Sequence, residues 1–162
     1  MTKSDYNKET DPQKFPSFNL MAAHTDQEIS ISEKELKAQK FLVYTYPKDL
    51  TSGCTKETNE FSSNLDFFTV NGIAIYGLSK DSIKSHLKFI DKEKIPFPLI
   101  SDPDCTLIKA LGCWVKKSMY GKEYMGISRS TFLVNQSLQV NKIWRNVKVK
   151  DHVSNVMAEI SM

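Results

Sequence analysis

The sequence predicts an α/β domain with a mixed β-sheet. Three observations carry this. Two continuous apolar, β-favouring runs stand at residues 41–46 and 73–78. Each is followed by a segment whose apolar residues recur at helical spacing. The chain then closes with two adjacent strand-like runs and a last helix. Strands alternating with helices and ending in a hairpin and helix imply that architecture.

In order along the chain, residues 1–14 read as a flexible lead-in rich in Lys, Asp, Glu, Thr and Asn, and order begins at Phe15-Pro16-Ser17-Phe18. The domain then runs over 15–162. Ile29 and Ile31 alternate with Glu28, Ser30 and Ser32 as a half-exposed strand does. Residues 41–46 form a central buried strand ended by Pro47. After a loop, Phe61, Leu65 and Phe68 give one apolar stripe to a helix over about 54–70, stopped by Asn71-Gly72. A second buried strand occupies 73–78, and Asp81 is placed to cap a helix with Ile83, Leu87 and Ile90 inward, broken by Pro96 and Pro98. Asp102-Pro103-Asp104 opens a short third helix that runs through Leu111 and ends at Gly112. Residues 129–134 and 138–144 flank the turn Asn135-Gln136-Ser137 as a hairpin. Val153, Val156, Met157 and Ile160 mark a C-terminal helix with Asp151 at its cap position. Tyr120, Tyr124 and Trp114 read as loop packing.

Composition narrows the function classes. The chain has 162 residues, 40% apolar and 25% charged, which suits one domain and excludes collagen-like and disordered classes. Net charge is only +3 and the lysines are scattered, so nucleic acid is not an expected partner. Leu20-Met21-Ala22-Ala23 is too short for a signal-peptide core, and no run approaches a membrane span, so a cytoplasmic location without membrane contact is expected. Three cysteines do not make a disulfide framework. His24, His86 and His152 have no metal-ligand spacing, so no metal is expected. Glu57 stands three residues after Cys54, which removes a Cys-x-x-Cys dithiol, and no glycine-rich nucleotide loop occurs.

Cys54 is the chemical candidate. It follows a strand and a loop at the first turn of a helix, where partial positive charge favours a thiolate nucleophile. A strand-to-helix junction of this kind lies at the carboxyl end of an α/β sheet, where sites cluster. Thr51 can place a hydroxyl at the same helix end, and Pro47 fixes the chain direction there.

The segment Pro47-Lys48-Asp49-Leu50-Thr51-Ser52-Gly53-Cys54 fits a Pro-x-x-x-Thr-x-x-Cys signature. With Tyr44-Thr45-Tyr46, Ser85-His86, Pro96-Phe97-Pro98-Leu99, Ser101-Asp102-Pro103-Asp104, Lys117-Ser118-Met119-Tyr120-Gly121-Lys122, Tyr124-Met125-Gly126-Ile127, Arg129-Ser130-Thr131-Phe132-Leu133 and residues 144–150, it resembles the peroxiredoxins, in the bacterioferritin comigratory protein or peroxiredoxin Q group. The resemblance runs from about Phe15 to the C-terminus. It implies a thioredoxin-like fold and a thiol-dependent peroxidase that reduces hydrogen peroxide and organic hydroperoxides, without metal, haem, flavin or other cofactor. Cys54 would attack the peroxide and become a sulfenic acid. Thr51 and Arg129 would bind the substrate and stabilise charge, and Pro47 would shield the sulfur.

Many members of this group carry a resolving cysteine five residues after the first or on the next helix; here those places hold Asn59 and a cysteine-free 81–93 segment. Two readings follow. Either an external thiol (thioredoxin, glutaredoxin or glutathione) recycles a one-cysteine, monomeric enzyme, or Cys105 or Cys113 resolves Cys54. Cys105 and Cys113 also fit as structural thiols, and the one-cysteine reading is preferred. A non-catalytic redox sensor of the same fold is the rival from another class.

Overall fold

The computed structural model describes residues 11–161. In chain order the elements are β1 (Asn19–His24), β2 (Gln27–Ser32), α1 (Glu33–Leu36), β3 (Lys40–Thr45), α2 (Ser52–Ser63), α3 (Leu65–Val70), β4 (Ile73–Ser79), α4 (Ile83–Glu93), β5 (Leu99–Ser101), α5 (Thr106–Ala110), β6 (Trp114–Met119), β7 (Lys122–Ile127), β8 (Ser130–Val134), β9 (Val140–Trp144) and α6 (His152–Ile160). Seven strands form one sheet in the order β2-β1-β5-β4-β3-β8-β9, while β6 and β7 pair separately. β3, β4 and β5 are parallel, and β1 and β8 join them antiparallel, so the sheet is mixed as expected.

The apolar run of β3 is continuous because both sheet faces are covered. Phe41 and Val43 point into one core with Ile100, Leu107, Leu111 and Phe132. Leu42, Tyr44 and Tyr46 point into the other with Phe61, Phe68, Phe89 and Val156. Tyr44 stacks on Phe61 with ring centroids 4.8 Å apart, and its hydroxyl is satisfied by Thr58 at 2.8 Å. A buried phenol of this kind needs such a partner.

Several elements depart from the sequence expectation. β1 was hidden because Leu20-Met21-Ala22-Ala23 has weak β preference and the turn to β2 uses Thr25 at φ 57° instead of glycine. The helix expected over 54–70 breaks at Asn64, whose side-chain amide donates to the Glu60 carbonyl at 2.7 Å. Asp81 does not cap α4; Ser82 does, accepting from Ser85 N–H at 3.2 Å, and Asp81 is engaged elsewhere. Asp102 still serves α5, its carboxylate accepting from Thr106 and Ile108 N–H groups, although the helix starts only at Thr106. Asp151 holds the cap position of α6 but makes no side-chain cap bond. The segment around Trp114 and Tyr124 is a hairpin, not a loop; Tyr120 and Gly121 turn it at positive φ.

Residues 1–10 of the expected lead-in lie outside the described residues. Residues 11–14 run beside the start of β9: Val140 N–H donates to Gln13 O at 2.9 Å, Lys14 bridges Gln139, and Asp11 pairs with Arg145 at 2.9 Å. Residues 11–14 are thus tied to the outer edge of β9, which is open to pairing.

One glycine is required by packing. Gly77 lies opposite Tyr44 in the β3–β4 ladder, and a Cβ there would stand 2.6 Å from Leu99 Cδ2 and 3.0 Å from Tyr44 Oη. Gly77→Ala should destabilise the protein by about 1–3 kcal/mol through this overpacking, read as a lower Tm in thermal unfolding. An unchanged Tm would show that the two neighbours yield freely.

Candidate active site

The site forms where β3 hands the chain to α2. Tyr46 N–H still bonds the Leu78 carbonyl at 3.1 Å, and half-buried Pro47 then turns the chain into a loop. Thr51 occupies the N-cap position of α2 with extended backbone, and Cys54 is the third helical residue. Cys54 therefore sits in the first turn, whose N–H groups have no partner within the helix, at the end of a helix that favours negative charge. Cys54 is 1% exposed.

Arg129 arrives from across the sheet, just before β8. Thr45 fixes its backbone on both sides: the hydroxyl donates to Ser128 O at 2.7 Å and accepts from Ser130 N–H at 3.0 Å. Val147 N–H adds a bond to the Arg129 carbonyl at 3.0 Å. The guanidinium forks. One arm reaches Cys54 Sγ at 3.2 Å, and the other pairs with Glu57 Oε1 at 3.0 Å. Gly53 leaves room for it, since a Cβ there would stand 3.0 Å from Arg129 Nη2.

Glu57 is the partner that sequence reading passed over. It lies one turn beyond Cys54 on the same helix face, and that i, i+3 relation to a candidate nucleophile was the available signal. Its side chain is 1% exposed and its second oxygen, Oε2, has no hydrogen-bond partner. Burial pushes its carboxyl up to about 7, with Arg129 opposing the shift. Lys117 borders the same region: its ammonium donates to the Ile127 carbonyl on the strand that leads to Arg129. Burial, and then the Arg129 charge, lower its pKa, while Cys54 raises it.

The AhpC/TSA family matches residues 12–143. The chain belongs to the AhpC/TSA family. Its relatives place it in the peroxiredoxins, an enzyme of the thiol-dependent peroxidase class. It is 39% identical to peroxiredoxin Bcp of Bacillus subtilis over 90% of this chain and 90% of that one. Against peroxiredoxin Bcp of Xanthomonas campestris it is 42% identical, over 87% and 92% of the two chains. The solved structure of Xanthomonas campestris peroxiredoxin Q superposes with a TM-score of 0.82 at 38% identity, covering 89% of each chain. A further structure of the bacterioferritin comigratory protein from that organism concerns its alkyl peroxide reduction activity.

The remaining sequence candidates of this peroxiredoxin are sorted by the sheet. Thr51 does not meet the sulfur; its hydroxyl donates to the Lys48 carbonyl at 2.9 Å and makes no cap bond. Asn59, at the position where the sequence resemblance leads one to expect a resolving thiol, donates to Glu93 Oε1 on α4 at 2.9 Å. Cys105 and Cys113 pack in the core with Phe41 and Val43, whereas Cys54 packs in the core with Tyr44 and Tyr46, so the sheet stands between them. All three thiols are free, and burial pushes those of Cys105 and Cys113 up. Lys116 pairs with Glu123 and Lys142 with Glu159, so the lysines of this region are spread over separate ion pairs.

The Glu57 carboxyl has a consequence for stability. Between about 4.5 and about 7 the folded protein holds a proton there that the unfolded chain releases. Stability therefore falls as pH rises through that window, by at most ~3 kcal/mol. His152, which burial pushes down to about 4, acts in the opposite sense below its ordinary value, so the Glu57 share is read against a variant. In urea unfolding from about pH 5 to pH 8, wild type should lose stability relative to Glu57→Gln as pH rises. Parallel pH profiles would remove Glu57 from the account.

Proposed function

We propose that Cys54 is the peroxide-reducing nucleophile of this peroxiredoxin and works as the sole redox-active cysteine. The observation that carries the reading is the Arg129 fork, which sets a permanent positive charge 3.2 Å from a cysteine sulfur at a helix N-terminus. That charge stabilises the thiolate before reaction and the oxygen anion that forms during it. The thiolate attacks one oxygen of the hydroperoxide, the S–O bond forms as the O–O bond breaks, and the leaving oxygen takes a proton to become water or an alcohol. Cys54 is left as a sulfenic acid. The two electrons come from sulfur, so the reaction balances without a cofactor.

Thr51 joins by rotating its hydroxyl from Lys48 toward the bound peroxide, a short swing for an exposed side chain at the N-cap. Pro47, half-buried at the loop entrance, contributes shape and removes a competing N–H. Substrates are hydrogen peroxide and organic hydroperoxides. The electrons are restored by an external thiol (thioredoxin, glutaredoxin or glutathione), which forms a mixed disulfide with Cys54 and releases water; a second thiol then regenerates Cys54 and leaves the reductant oxidised. The separation of Cys54 from Cys105 and Cys113 by the sheet favours this route over internal resolution. The resemblance to the peroxiredoxin Q group favours a monomer. Three free thiols suit a reducing cytoplasm.

Peroxide consumption with excess dithiol tests the assignment. Cys54→Ser should abolish turnover, and Arg129→Met should lower kcat/KM about 10²–10³-fold, the scale of losing one charged donor at a developing anion. The double variant Cys105→Ser/Cys113→Ser should keep near wild-type turnover. Full activity in Cys54→Ser, or loss of it in the double variant, would overturn the one-cysteine reading.

A further inference from the structure

The loop that carries Cys54 to its place has one buried foot. Lys48, Leu50, Thr51 and Ser52 are exposed, and Leu50 is held at φ 65°, a conformation that a branched residue rarely adopts. Asp49 between them is 4% exposed. Its Oδ1 accepts from Tyr46 Oη at 2.7 Å; its Oδ2 meets Ser85 Oγ at 2.8 Å and His86 Nδ1 at 2.7 Å. Its N–H donates to Asp81 Oδ2 at 2.9 Å, and Asp81 is itself tied to Ser79 and Ser101.

His86 is fully buried and bonded at both ring nitrogens, Nε2 facing the Ile100 carbonyl at 3.0 Å. A carbonyl only accepts, so a proton sits on Nε2, and a second lies between Nδ1 and the Asp49 carboxylate. The imidazole is thereby locked between β5 and the loop. A buried hydrogen-bonded pair of this kind holds position strongly, because removing either partner leaves the other unsatisfied.

We propose that His86 is a positioning residue: through Asp49 it holds the 47–54 loop closed over Cys54 and so sets how fast an external thiol reaches the oxidised sulfur. This rests on the reading of Cys54 as the nucleophile. Cys54 is 1% exposed, so a thiol, far bulkier than a peroxide, can attack its sulfur only after the loop and the first turn of α2 move. Peroxide reduction needs the opposite, a closed loop that keeps the first-turn N–H groups and the guanidinium aligned. Weakening the foot therefore moves the two half-reactions in opposite directions. A merely structural residue would move them together.

The test follows the two steps separately in His86→Gln and in Ser85→Ala, which removes a single bond to Asp49 and decides the matter if the first variant does not fold. Stopped-flow mixing gives the rate of Cys54 oxidation by peroxide and the rate of sulfenic acid reduction by dithiothreitol; intact mass gives the sulfinic acid formed at fixed peroxide excess. Losing one neutral hydrogen bond is worth a factor of about three to ten, so Ser85→Ala should speed thiol reduction ~threefold and His86→Gln more than tenfold. Oxidation by peroxide should slow in both, and less sulfinic acid should accumulate. A thiol step that is unchanged, or that falls along with the peroxide step, overturns the proposal. If wild-type Cys54 forms no sulfenic acid at all, the fault lies with the nucleophile assignment, and the proposal falls with it.

Discussion

Strand β3 has no free side. It is bonded to β4 on one edge and β8 on the other, with a hydrophobic core on each face, so its last residues have almost no freedom to shift. Everything in the candidate site is referenced to that end. Thr45 clamps the backbone around Arg129, Tyr46 bonds Asp49, and Pro47 starts the loop that delivers Cys54. A site assembled from residues far apart in sequence needs such a common anchor if its atoms are to be held to fractions of an ångström.

The carboxylate of Glu57 makes the site more than a cation beside a thiol. One oxygen is paired with Arg129 and the other is buried without a partner, an arrangement that leaves the guanidinium oriented yet only partly neutralised. Burial of a carboxyl in that position is costly unless it is paired or protonated. The balance among sulfur, guanidinium and carboxyl is thus set by how little water reaches them.

Much of this was legible in the sequence. The buried parallel strands showed as unbroken apolar runs, and the helix stop at Asn71-Gly72 is realised with Gly72 at φ 72°. Cys54 was found by its position after a strand, and Arg129 only through the family pattern, because nothing local marks an arginine that acts across a sheet. What escaped was of two kinds. β1 is apolar but of weak β preference, and β6 and β7 carry mixed polar sequences, so their pairing is decided by tertiary context and not by propensity. Glu57 left only its spacing from Cys54 as a signal and His86 none of its own, because the partners that hold these buried side chains, Arg129 and Asp49, lie dozens of residues away in the chain.

The bond between Asn59 and Glu93 lies where the peroxiredoxin Q resemblance leads one to expect a second thiol. A disulfide at such a place would write each oxidation into the covalent structure, to be erased by a reductant. A neutral amide resting on a carboxylate keeps no record. On the proposed one-cysteine route, the history of the molecule is then confined to a single sulfur atom.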